Sequence, residues 1–123
     1  LLGRSFAVIT VTGCKTGTCI ETPVNVVSLG GNLMIISMRS RTWWRNLRGG
    51  RTARLRHTGK LLQVRGQVIA APAEVAAGLA DYFTQYPGYA KYFNLRLGPD
   101  LKPDVQRLDL VARERVLIKL QTA

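Results

Sequence analysis

The chain has one histidine, two cysteines and seven acidic residues. Each scarcity removes a class of chemistry. A serine-histidine-aspartate relay needs a histidine held by a carboxylate. His57, just before a turn signal, has no evident acidic neighbour, so it is assigned no role. A structural zinc site needs about four ligands, usually as two close pairs. Cys14 and Cys19, in C-x4-C spacing, with His57 are too few, so no metal is expected and the cysteines read as reduced thiols. The acidic residues are scattered, which argues against a catalytic carboxylate pair or a magnesium site. Long apolar runs are also missing, so no helix is expected to span a membrane. The opening "LLGRSFAVITVTG" is too short and too alternating for a signal peptide, and the expected compartment is the cytoplasm. If the protein is an enzyme, a cofactor must carry the reaction while the chain binds and orients.

What the chain has in excess is positive charge: 18 Lys and Arg against 7 Asp and Glu, a formal net charge of +11. Such a surface fits an anionic partner, whether phosphate, nucleic acid, polycarboxylate or an acidic membrane surface. At 123 residues, a single domain over 1–123 is expected.

Alternating, β-branched "SFAVITVT" predicts a strand over 5–12, and "CIETPVNVVSL" a second in which Pro23 points to an edge or a bulge. "GGN" at 30–32 is a hairpin turn, and "LMIISM" a third strand. "RTWWRNLRGG" breaks the alternation. Ser40 or Thr42 can cap a two-turn helix there, and Gly49 and Gly50 can stop it. "RTARLRHT", "GK" and "LLQVRGQVIA" read as another hairpin. "APAEVAAGLADYFTQY" is the clearest helix, with Pro72 in its first turn and a buried stripe of Val75, Leu79, Tyr82 and Phe83. "PGYAKYF" predicts a short helix, "LGPDLKPD" a loop and "ERVLIKLQ" a closing strand. The order β-β-β-α-β-β-α-β, with short turns, favours an α+β fold built on a small antiparallel barrel with plugging or flanking helices.

Three motifs can carry chemistry. In "TGCKTG" the glycines allow close backbone approach and Lys15 adds a charge, which makes either a phosphate nest or an ordinary basic hairpin tip. On a helix, neighbouring residues point about 100° apart. Trp43 therefore shares a face with Asn46 and Leu47, and Trp44 with Arg48, so one indole is expected on the barrel and the other freer. Tyr86, Tyr89 and Tyr92 recur every three residues and form either a core stripe or the phenolic rim of a pocket.

In their order and spacing, "TVTGCKTGTCIETPV", "LMIISM", "TWWRNLRGG" and "YPGYAKYF" resemble the deazaflavin-dependent nitroreductase family of the split β-barrel flavin-binding superfamily, over about residues 8–121. The resemblance implies a six-stranded antiparallel split β-barrel and a homodimer. It also implies a reduced deazaflavin (coenzyme F-420) that passes a hydride to a small electron-poor acceptor such as a quinone or nitro compound. By the same resemblance Gly13, Lys15, Thr16 and Gly17 hold the coenzyme phosphate, and Thr22, Pro23 and Val24 lie along the deazaflavin. Ser37, Met38 and the adjacent Arg39 contribute to its groove, Trp43 and Asn46 contact it, and Tyr86, Tyr89 and Tyr92 line the acceptor pocket, a tyrosine or water being the proton donor. The chain departs from the pattern at Cys14, Ile20 and Met38, where the family often carries a basic residue.

Two other readings compete. A barrel that keeps the fold but takes FMN, haem or a fatty acid would be a carrier. A nucleic-acid-binding module would need a stacking platform beside a basic groove. The basic residues are spread over many elements, so no nucleic acid is expected, while peripheral contact with an acidic membrane stays open.

Overall fold

A computed structural model describes residues 4–13 and 15–123. Alternation dominates the strands: inward Ile9, Val11, Val24 and Val26 take every second position and outward polar residues the others. The strands are β1 Arg4–Thr12, β2 Cys19–Leu29, β3 Asn32–Met38, β4 Thr52–His57, β5 Lys60–Ile69 and β6 Arg115–Thr122. All pair antiparallel in the order β1-β2-β3-β6-β5-β4, and β4 closes the barrel on β1 through Ala7↔His57 to Thr10↔Arg54. This is the expected α+β split barrel.

Two tight hairpins set the register. Gly30 and Gly31, both at positive φ, link the paired Leu29 and Asn32. Between the paired His57 and Lys60 the turn residues are Thr58 (φ 49°) and Gly59, one position earlier than the expected "GK". Both loops need two residues at positive φ to match the right-handed strand twist.

The core has two layers. Inside the barrel, Ile9, Val26, Ile35, Leu55 and Ile118 pack with Trp43, Trp44 and Leu47. Outside it, Val27, Met34 and Leu117 are covered by α1 (Pro72–Gln85) and α2 (Val105–Arg113). The α1 residues doing so are the expected Val75, Leu79, Tyr82 and Phe83. Burying each such side chain contributes about 1.5–3 kcal/mol relative to exposure.

Three expectations need correction. The "TWWRNL" segment is a 3₁₀ turn over Trp43–Leu47, with Thr42 at its N-cap making no side-chain hydrogen bond. Its expected glycine stop holds, with Gly49 and Gly50 at positive φ. Neither indole is free: Trp43 is 5% exposed and Trp44 1%. So short a turn cannot stand on its own hydrogen bonds, and it is held by burying both rings in the barrel core. Finally, α2 lies between the expected loop and the closing strand, where no helix was read. Asp104 caps it, accepting from the Arg107 N–H at 3.1 Å, and Leu108 and Ala112 face inward. Among the described residues no helix is long and apolar enough to cross a membrane.

Candidate functional site

The ladder between β2 and β3 runs from Leu29↔Asn32 to Val26↔Ile35 and stops. Both strands continue, β2 back to Cys19 and β3 on to Met38, each still paired to its other neighbour. The barrel is split there. Pro23 faces Val8 of β1 but lies in the stretch of β2 that β3 no longer pairs, in keeping with the edge character it signalled. Pro23, Val24, Asn25, Ile35, Ile36, Ser37, Met38 and Arg41 line the resulting groove, of about 160 Å³. A second cleft of about 180 Å³ shares Asn25, Ile36 and Met38 with it and continues to Tyr82, Tyr92, Phe93 and Arg115.

Of the residues chosen from sequence, Pro23, Val24, Ser37 and Met38 converge on the groove, and Met38 and Tyr92 on the cleft. Thr22 is buried beside the groove, its Oγ1 accepting from Arg41 Nη2 at 2.6 Å. Ser37 is also buried, and its hydroxyl donates to the Met38 carbonyl at 3.2 Å. Gly13, Lys15, Thr16 and Gly17 form the β1–β2 turn and line neither cavity. There Gly13 N donates to the Thr18 carbonyl (2.7 Å), Gly17 N to the Gly13 carbonyl (2.9 Å), and Lys15 and Thr16 are exposed. A Cβ at Gly13 would sit 3.1 Å from the Thr18 carbonyl oxygen, so the turn admits little else. Cys14 lies outside the described residues, and Cys19 is an exposed free thiol.

Trp43 and Asn46 line neither cavity. Trp43 belongs to the barrel interior, in one cluster with Val24 and Ile35 behind the groove, and its buried indole N–H has no hydrogen-bond partner. The Asn46 side-chain amide donates to the Trp43 carbonyl at 3.1 Å. Arg39 also turns away: its Nε donates to the Arg113 carbonyl (3.0 Å), and its Nη2 to the carbonyls of Ala70 (2.5 Å) and Arg115 (3.0 Å). It ties the end of β3 to the start of β6 and the entry to α1.

The tyrosines form a connected run of rings on a 3₁₀ segment, Pro87–Phe93, whose three-residue period eclipses Tyr89 and Tyr92. Tyr89 stacks on Tyr82 at 5.9 Å and meets Tyr86 at 5.8 Å and Tyr92 at 5.9 Å. Tyr92, 59% exposed, is the one of the three that lines the cleft; Tyr89 packs on it, and Tyr86 packs on Tyr89 and Tyr82.

Sequence reasoning missed Asn25, Arg41 and Arg115. Arg41 had a readable signal, a cation three residues past Met38, but only the chain's path beyond β3 brings it back over Thr22. A larger depression of about 440 Å³ lies between Arg48–Gly50 and β5, lined by Arg65, Gln67 and Gln121 among others. It has no aromatic wall and none of the residues chosen from sequence. The groove at the split and the cleft that continues it bring Arg41, Arg115 and the rings of Tyr82, Tyr92 and Phe93 together with residues chosen from sequence, and are the better binding site. Among the described residues no group of three or more His, Cys, Asp or Glu side chains converges to hold a metal.

These features define a six-stranded split barrel with a groove at its split that carries Arg41, and an adjoining cleft walled by Tyr82, Tyr92 and Phe93. No protein-family model and no curated protein sequence matches the chain. Solved structures do match, at identities that show the fold alone. A protein of unknown function from Agrobacterium tumefaciens is 20% identical, with a TM-score of 0.57 over 98% of this chain and 49% of that one. The chain thus spans about half the length of that protein. An F-420 reductase is 17% identical, with a TM-score of 0.53 over 100% of this chain and 90% of that one. The FAD and heme binding protein from Mycobacterium smegmatis is 17% identical, with a TM-score of 0.51 over 96% of this chain and 65% of that one.

Proposed function

We propose that the chain is a deazaflavin-dependent oxidoreductase that reduces an electron-poor acceptor, a quinone or a nitro compound. The observation that carries this reading is the split between β2 and β3, which gathers Pro23, Val24, Ser37 and Met38 with Arg41 into one groove. These residues fit the coenzyme. The side chains of Pro23, Val24, Ile35, Ile36 and Met38 offer apolar surface to a ring system, Pro23 has no N–H to leave unpaired, and Arg41 supplies a cation for an anionic tail. Bound there in its reduced form, the coenzyme would supply a hydride. The chain's own work is positional: the apolar side chains of the groove would hold the ring, and Tyr92 and Phe93 wall the adjoining cleft for the acceptor. The proton that completes reduction would come from the Tyr92 hydroxyl or from water.

The fold likeness to an F-420 reductase supports the reading, as does the net charge of +11. A homodimer belongs to it as well. Outward-facing Phe6 and Leu61 flank Val8 and Arg56 on the β1–β4–β5 surface and offer it an apolar face. The test is a titration of coenzyme F-420 followed by its fluorescence. Saturation in the micromolar range is expected, about −8 kcal/mol at 1 μM, with weaker binding by Arg41→Gln. No change at tens of times that concentration would overturn the reading.

A second reading is a carrier for FMN, FAD, haem or a fatty acid, favoured by the likeness to the FAD and heme binding protein. Absorption spectra and native mass spectrometry of the purified protein separate the two.

A further inference from the structure

We propose that Arg115 is the recognition group for a carboxylate on the acceptor, so that the preferred substrates are small planar acceptors carrying an anionic end. This rests on the reading of the cleft as the acceptor site. Arg115 opens β6, directly opposite Met38 of β3, and its carbonyl is held by Arg39. Its side chain is 18% exposed, and its guanidinium carbon lies 5.4 Å from the Phe93 ring centroid. The buried Nη1 makes no hydrogen bond. It forms a long ion pair with Oε2 of Glu114 at 3.8 Å, beyond hydrogen-bond reach, on a side chain that is 68% exposed.

A buried guanidinium donor held only by a long, exposed ion pair is under-satisfied, and an occupant that displaces Glu114 and supplies a hydrogen-bond acceptor recovers that cost. The planar fork matches a carboxylate with two parallel hydrogen bonds, which neither a lysine nor a tyrosine offers. Around it Met38, Ile36, Phe93, Tyr82 and Tyr92 give the cleft apolar and aromatic walls, with Asn25 as a polar member. These walls take a flat ring and thin the water that would otherwise weaken the charge. Glu114 can swing into solvent as the ligand enters. The coenzyme's own glutamate tail is the other possible source of a carboxylate, and the experiment separates the two.

The test titrates 4-nitrobenzoate and its uncharged analogue 4-nitrobenzamide into the full chain by calorimetry, without coenzyme. The acid should bind about tenfold or more tightly than the amide, the size of a charge-assisted pair in a partly dry site. Arg115→Gln and Arg115→Met, the second keeping the apolar stem, should each bring the ratio to about one. Lys60→Gln, which removes one positive charge from the distant β4–β5 hairpin, should leave it unchanged. Thermal melts establish that each variant is folded. Equal binding of the two probes, binding of neither, or an unchanged ratio in the folded Arg115 variants overturns the proposal. So does a loss of coenzyme affinity in Arg115→Gln with the probe ratio intact, since the carboxylate would then be the coenzyme's. Failure of the wild-type chain to bind coenzyme at all would instead count against the oxidoreductase reading.

Discussion

Arg41 Nη2 lies 2.6 Å from Thr22 Oγ1, a hydrogen bond across the gap where β2 and β3 have ceased to pair. It bridges two strands that the backbone ladder no longer joins, and it sets a cation at the edge of the groove. Arg39, two residues earlier, has the same side chain and the opposite task.

Thr22→Val should cost about 1 kcal/mol in urea denaturation, the usual worth of one hydrogen bond, and should also weaken coenzyme binding by releasing Arg41. Arg41→Gln should weaken coenzyme binding with little loss of stability, because Arg41 is exposed. A variant pair that changes stability alone would show that the bridge is structural only.

Arg39→Ala should do the reverse. It removes a guanidinium serving three backbone carbonyls at the β6 and α1 entries. A loss of about 2–4 kcal/mol is expected on chemical unfolding. Coenzyme affinity, measured below the unfolding transition, should fall less than in Arg41→Gln.

The two tryptophans should separate. Trp44 Nε1 donates to the Arg39 carbonyl at 3.3 Å, and the Arg45 and Arg48 guanidiniums lie 5.5 and 5.0 Å from its ring centroid. Trp43 Nε1 has no partner. Both phenylalanine substitutions lose volume, but Trp44→Phe also orphans a carbonyl and should cost about 1 kcal/mol more than Trp43→Phe. Thermal melts of the two single variants decide it. Equal losses would mean that ring volume alone matters.

Gly78 lets α1 lie close on β6, since a Cβ there would run into Leu117 Cδ1. Gly78→Ala gains about 1 kcal/mol of helix propensity but meets overpacking of about 1–3 kcal/mol, so net destabilisation is expected. In a Leu117→Ala background the same change should become neutral or stabilising, which a double-mutant cycle measures.

Much of the fold was legible because its signals are local. Strand alternation in "SFAVITVT" and the Val75, Leu79, Tyr82, Phe83 stripe each declare an element within a dozen residues. The helix α2 had a signal too, the Asp104 cap with Leu108 and Ala112 one turn apart, but nine residues after a Gly/Pro-rich loop make a short pattern. The site was legible only in pieces. Pro23, Val24, Ser37 and Met38 stand in readable motifs, and they converge in the structure. Arg39 and Arg41 look interchangeable on paper.

The sequence by itself determined the strands, the main helix, the tight turns and the basic charge, because backbone propensity and side-chain period act between near neighbours. Tertiary structure decided where the barrel closes and where it splits. It also decided which arginine staples backbone and which faces the groove, and that Arg115 meets Phe93 and Tyr92 in one cleft. Those outcomes depend on contacts between residues far apart in the chain, such as Met38 with Arg115 and Ala7 with His57. Which donors are left unpaired is settled only when such segments pack together.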